Sequence, residues 1–197
     1  RLCESHSSTT WQQAINLGII LSDTDNCIIT SSDCFFVGSG WCEAIEADLE
    51  KHDYVLADNH SLFGISKRLV ARIGFLDELY GHGPHIDSDL MMRTREAGIH
   101  ISNVGNRSWY RHYDPPEEEK QRREGFVEDR LPMNTFENER RFKSKWGNHW
   151  DGWEAAIKLG SQHMPHPPVH DTNIIRLKDE THPYPVIQQR YKEKYNV

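Results

Sequence analysis

Apolar residues along the first part of the chain recur at helical and strand spacings in alternation. Ser8, Thr9 and Thr10 offer caps for a short helix with Trp11, Ala14 and Ile15 on one face, and Gly18 is expected to end it. Cys27-Ile28-Ile29-Thr30 reads as a strand that runs into polar Ser31-Ser32-Asp33. Ser39 is the expected cap of a helix with Trp41, Cys42, Ile45 and Leu49 inward and Glu43, Glu46, Asp48 and Glu50 outward. Residues 54–56 and 62–65 predict two short strands around an Asp58-Asn59 turn. Ser66 then caps a helix through Ile73, closed by Gly74. A loop rich in Gly and aromatics leads to Asp87-Ser88-Asp89, where Ser88 or Asp87 is expected to cap a helix from Asp89 to Ala97. Gly98 ends that helix, and residues 99–104 predict another strand. Strands alternating with helices predict an α/β domain.

From Asp114 the text becomes highly charged and contains Pro115-Pro116, which places a boundary between residues 1–113 and 114–197. Residues 117–124, 136–146 and 150–159 have helical character, whereas the proline-containing tail from Gly160 predicts mostly extended chain wrapped over a surface. The second part is expected to be an appendage packed on the first. Self-association through its Trp146, Trp150 and Trp153 helices is the weaker reading.

Composition narrows the class. With 37% hydrophobic and 27% charged residues the chain has the make-up of a globular protein rather than a disordered one. A formal charge of -7 argues against a nucleic-acid surface, and no apolar run is long enough for a transmembrane segment. Cys3, Cys27, Cys34 and Cys42 form no CxxC pair, so free thiols in a reducing, cytoplasmic compartment are preferred over disulfides.

Three places carry candidate chemistry. Asp33, at the polar end of a strand, has the oxygen donor that a hard divalent cation prefers, although Asp after a strand is more often a turn residue. Asp87 and Asp89 stand two apart at a helix start and so point in different directions. One can face a crevice while the other braces the backbone or pairs with Arg93, four residues on, and the glycine-rich loop beside Asp87 favours it as the outward one. Helix capping is the competing reading for both. His112, within Trp109-Tyr110-Arg111-His112-Tyr113, is either a packed histidine or a metal ligand. The signatures of P-loop ATPases, dinucleotide enzymes, zincins and α/β-hydrolases are absent from the sequence.

Taken in order, several loose strings resemble one family. They are residues 14–19, Ile28 to Asp33, Phe63-Gly64-Ile65-Ser66, residues 73–80, Asp87-Ser88-Asp89-Leu90 with Arg93 and Ala97-Gly98, and His112. Together with Asn138, Arg141-Phe142 and Lys145-Trp146-Gly147, they resemble the GT-A-fold, family 2-type inverting glycosyltransferases over about residues 10 to 147. The resemblance implies a Rossmann-like mixed sheet and a hexosyltransferase-type activity. It implies a nucleotide-diphosphate sugar as donor, a glycan or glycolipid as acceptor, and Mn²⁺ or Mg²⁺ as cofactor. It assigns Asp87 as the catalytic base and Asp33 and His112 as metal ligands. Asn16, Ser31, Ser32 and Asp33 fall on the nucleotide side. Phe75, Tyr80, His82, Gly83, Asp89 and Arg93 fall at the acceptor loop and cleft.

The chain departs from the pattern twice within these strings: Ser31 stands where the first acid of the metal motif is expected, and Ile86 where a Glu commonly precedes the base. Only 32 residues precede Asp33, and one βαβ unit takes about 30 residues, so the first strands of such a fold are expected outside this sequence. Two rivals share the features. A non-catalytic carbohydrate-binding or scaffold member of the same fold would account for Ser31. A metal-dependent nucleotidyl- or phosphotransferase would need a second carboxylate beside Asp33.

Overall fold

The computed structural model describes residues 10–31, 34–57, 60–81, 83–105, 109–112, 135–146 and 184–197. These form a mixed α/β structure with six helices, a four-stranded sheet and a two-stranded ribbon among the described residues.

Helix α1 (Trp11–Leu21) opens with a capping box, in which Thr10 Oγ1 accepts from Gln13 N and the Gln13 side chain accepts from Thr10 N. The helix runs past Gly18, which lies on its exposed side, to a cap at Ser22; the expected stop does not occur. Strand β1 (Asn26–Thr30) follows, then β2 (Cys34–Phe36), α2 (Trp41–Leu49), β3 (Tyr54–Leu56) and β4 (Leu62–Ser66). The cap of α2 is Gly40 in the left-handed region, not Ser39, because a positive φ of 83° suits glycine. Helix α3 (Lys67–Ile73) starts under Ser66 Oγ, which accepts from Leu69 N at 3.0 Å, and stops at Gly74. After a loop come α4 (Ile86–Glu96), β5 (Ile101–Asn103), β6 (Tyr110–His112), α5 (Thr135–Trp146) and α6 (Tyr184–Tyr195).

The four-stranded sheet has the order β1-β4-β3-β5. Strand β4 is antiparallel to β1 and to β3, and β5 is parallel to β3, so β1, β3 and β5 point the same way. Helix α2 packs on one face through Ile45 and Leu49. On the other lies the larger core, which takes in α1, α3 and α4 through residues such as Ile19, Phe63, Leu69 and Leu90. Phe142 and Trp146 of α5 and Tyr184 of α6 enter that same core.

The C-terminal tail differs from the extended chain predicted for it. Residues 184–195 are helical, and Tyr184, Ile187 and Tyr191 recur at helical spacing against the core. The predicted helices 117–124 and 150–159 lie outside the described residues. Cys27 and Cys42 are free thiols, and Cys27, Cys34 and Cys42 are all half-buried. Among the described residues, no helix is long and apolar enough to cross a membrane.

Candidate active site at the C-terminal ends of the sheet

Parallel strands in an α/β sheet present their C-terminal ends to a crevice. Here the end of β1, the turn before β4 and the first turn of α4 are joined by short links. Ser31 N donates to Ser61 O at 2.8 Å, tying the end of β1 to the chain that enters β4. His60, next to Ser61, places Nδ1 3.4 Å from Asp87 Oδ2. The sheet edge and α4 therefore meet at His60.

Asp87 sits in the first turn of α4 and its side chain is 44% exposed. Its Oδ1 accepts from Ser88 N at 2.8 Å. Neither Asp87 nor Ser88 is the cap. The helix starts earlier than expected, with His85 in the cap position at a φ of 75° and no side-chain capping bond. Asp87 thus lies one residue inside the helix, where the N-terminal dipole favours its negative charge.

Asp89 has the opposite environment. It is 1% exposed, and its carboxylate meets Arg93 Nε at 2.9 Å, Lys145 Nζ at 2.7 Å and Trp146 Nε1 at 2.8 Å. Burial pushes this carboxyl up, but Arg93, Lys145 and the Trp146 hydrogen bond together hold it below the usual carboxylate range. Arg93 is equally buried, and its Nη1 donates to the carbonyls of Ile73 and Phe75 at 2.8 and 2.9 Å. Asp89 and Arg93 accordingly lie inside the structure rather than on a cleft wall.

The loop between α3 and α4 is held from two sides. From α1, Asn16 Nδ2 donates to Leu76 O at 3.0 Å and to Glu78 Oε1 at 2.9 Å, while Asn16 Oδ1 accepts from Leu76 N at 2.9 Å. Gln12 Nε2 donates to Tyr80 O. From α5, Asn138 Oδ1 accepts from Gly81 N at 2.8 Å, and its Nδ2 donates to Gly81 O and Pro84 O, each at 3.1 Å. An amide can make four such bonds, and Asn16 and Asn138 each make three to this loop. Arg141 adds an ion pair to buried Asp77 at 2.6 Å.

This bracing relocates several residues expected at the ligand. Asn16 is buried and bonded to the loop, not set on an open nucleotide wall. Phe75 is buried beneath Tyr184, with ring centroids 4.7 Å apart. Tyr80 is buried, with its hydroxyl 3.4 Å from Asp89 Oδ1, and burial pushes its phenol strongly up. Gly83 is half-buried with a φ of 138°, a conformation suited to glycine. His82, Ser32 and Asp33 lie outside the described residues.

The polar end of β1 can be followed along the backbone. Cys34 N donates to Ser31 O at 3.1 Å, and β2 pairs antiparallel with β6 in the register Cys34 to His112. The start of this ribbon is thereby tied to the end of β1, and Asp33 is the covalent neighbour of Cys34 in the sequence. No group of three or more potential metal-holding side chains occurs among the described residues.

The sequence patterns did not single out His60 or Tyr54. Tyr54 is fully buried in β3, and its hydroxyl bonds His60 Nε2. Burial lowers the His60 imidazole below its ordinary value, with Asp87 opposing that, and it pushes the Tyr54 phenol well up. A histidine after a polar turn carries no spacing signal; the pairing depends on β3 and α4 meeting in space.

No protein-family model matches the chain, and neither a curated protein nor a solved structure matches it.

Proposed function

We propose that this chain is part of a GT-A-type inverting glycosyltransferase. It would move a sugar from a nucleotide-diphosphate donor to a hydroxyl of a glycan or glycolipid, with Asp87 as the general base. The observation that carries this reading is the contrast between its two carboxylates. Asp89 is buried and fully engaged with cations, whereas Asp87, two residues away, remains open to solvent at the C-terminal ends of β1 and β3.

A solvent-facing carboxylate at the mouth of a braced loop has the chemistry of a base. One oxygen of Asp87 would accept the proton of the acceptor hydroxyl while that oxygen bonds to the anomeric carbon. The bond from that carbon to the diphosphate breaks on the opposite face, so a single displacement inverts the configuration. Asn16 and Asn138 act here by holding the 75–84 loop, and Asp89 by fixing α4 through Arg93.

Asp33 and His112 would hold a Mn²⁺ or Mg²⁺ ion. In support, His112 stands opposite Cys34, the residue after Asp33, and an oxygen–nitrogen donor pair is compatible with such an ion. When bound, the metal supplies positive charge against the departing diphosphate. The edge of β1 away from β4 has no strand partner among the described residues, and a groove of about 610 Å³ runs between β1 and α1. The groove reaches Ser31, on the nucleotide side of this reading.

The test is a screen of sugar nucleotides for metal-dependent transfer by the full-length protein. Asp87→Asn is expected to abolish transfer and to leave donor binding, followed by calorimetry with Mn²⁺, largely unchanged. Full activity in that variant would overturn the assignment. Donor binding without turnover in the wild type would favour the non-catalytic, carbohydrate-binding reading.

A further inference from the structure

Behind Asp87 lies a buried polar chain that the proposed reaction does not by itself require. It runs from Tyr54 in β3 through His60 to Asp87 in α4. Side chains of this kind are costly to bury unless their polar atoms are partnered, so such a chain needs a reason. Tyr54 is fully buried, and the His60 side chain is 13% exposed. The rings of Tyr54 and Phe63 enclose the imidazole at centroid distances of 6.0 and 5.5 Å.

We infer that His60 is a positioning residue for Asp87: Tyr54 fixes its tautomer, and its Nδ1–H holds the carboxylate in the orientation needed to accept a proton. The inference rests on the reading of Asp87 as the base.

The chemistry runs from the inside outward. A buried phenol keeps its proton and can donate it in a hydrogen bond to an imidazole nitrogen that carries none. Tyr54 Oη therefore donates to His60 Nε2, and in the neutral ring the proton must then reside on Nδ1. That nitrogen lies 3.4 Å from Asp87 Oδ2. A small movement closes a separation of this size to a hydrogen bond. The carboxylate is then held on both oxygens, Oδ1 by Ser88 N–H and Oδ2 by His60, while nearly half the side chain stays open. The plane of the group is fixed, and because Oδ1 also accepts from Ser88 Oγ at 3.4 Å, it is Oδ2 that keeps a lone pair for the acceptor.

The groups that bear on the histidine come from three elements: Tyr54 from β3, Phe63 from β4 and Asp87 from α4. Arg93 reaches the same chain from α4 through its field on Tyr54. Burial keeps the imidazole neutral to lower pH than an exposed histidine, which preserves the donor on Nδ1.

Nitrogen NMR and steady-state kinetics on the full-length protein test this together. In the wild type, the His60 resonances should show the Nδ1–H tautomer and a titration below that of an exposed histidine. Asp87→Asn removes the carboxylate charge that favours the imidazolium, so His60 should titrate lower still. Tyr54→Phe, close to the native shape, should relax the tautomer preference. His60→Ala should lower kcat by about 100-fold, the scale of a misplaced catalytic group, with donor KM unchanged. His60→Gln, whose amide can still donate, should recover part of that loss.

An Nε2–H tautomer, or a His60 titration indifferent to Asp87→Asn, overturns the pairing without any turnover being measured. Full activity of both His60→Ala and Tyr54→Phe, against an inactive Asp87→Asn, overturns the positioning role and leaves the base assignment standing. Full activity of Asp87→Asn removes the base, and the positioning role with it, even where the NMR pairing holds.

Discussion

Asp89 is surrounded by Arg93, Lys145 and Trp146 at 2.7 to 2.9 Å, and Asp87 by the amide and hydroxyl of Ser88 and one imidazole. The difference follows from helix geometry, since residues two apart project about 200° from one another. Asp89→Asn leaves Arg93 and Lys145 without their shared anion, and breaking a buried pair in this way costs about 3–5 kcal/mol. Its folded pKa lies below the unfolded one, so the carboxylate's stabilisation is present above the ordinary carboxylate range and is lost as pH falls through the folded value. Urea denaturation should show the full gap between wild type and Asp89→Asn at neutral pH and a narrowing gap in acid. A gap that is constant with pH would show that the loss is one of shape rather than charge. At this scale the sequence was informative about the Asp89–Arg93 spacing, which predicts the pair, but silent about Lys145 and Trp146, more than fifty residues away.

At the scale of elements, two glycines inside regular structure have opposite surroundings. A Cβ on Gly64 in β4 would lie 2.7 Å from Ile45 Cγ2 and 2.8 Å from Leu49 Cδ1, so this glycine lets α2 seat closely on the sheet. Gly64→Ala forces α2 outward and should cost about 1–3 kcal/mol, as overpacking does. Gly18, mid-way along the exposed side of α1, has nothing within 4 Å of where a methyl group would sit and no left-handed φ. Gly18→Ala should therefore raise stability by up to about 1 kcal/mol, the propensity difference between the two residues. Thermal melts of the pair give opposite signs if the packing is as described, and equal signs refute it. The same glycines explain what the sequence could and could not show. Strand β4 was legible because Leu62, Phe63 and Ile65 form a dense apolar run, whereas Gly18 reads locally as a helix stop. Packing of Ile15 and Ile19 on the core carries α1 through it. The starts of α2 and α4 differ from the sequence expectation for a related reason. Their caps are backbone conformations, at Gly40 and His85, instead of a polar side chain with a recognisable identity.

Across the whole molecule, the elements after residue 134 complete the core. Helix α5 brings Trp146 to Asp89 and Asn138 to the loop before Asp87, while α6 returns to α3 and to the start of β1. Tyr184 stacks on Phe75, and its hydroxyl donates to Glu78, which also accepts from Asn16 of α1. At the far end of α6, Lys194 and Tyr195 bond Asp25, the residue before β1. None of this was legible in the prolines and charges of the tail, because the partners of Tyr184, Ile187 and Tyr191 lie more than a hundred residues back. If α6 is structural in this sense, its first tyrosine should behave as a core residue. Tyr184→Ala should cost about 3 kcal/mol, the lower end for loss of a buried aromatic, and expose Phe75. Tyr184→Phe keeps the stack and removes the bond to Glu78, so it should cost about 1 kcal/mol. Urea denaturation separates the two, and proteolysis adds a positional readout: in Tyr184→Ala, cleavage within α6 should precede cleavage of the sheet. Equal costs for the two variants would assign the contribution to the hydroxyl, and no cost in either would detach α6 from the core.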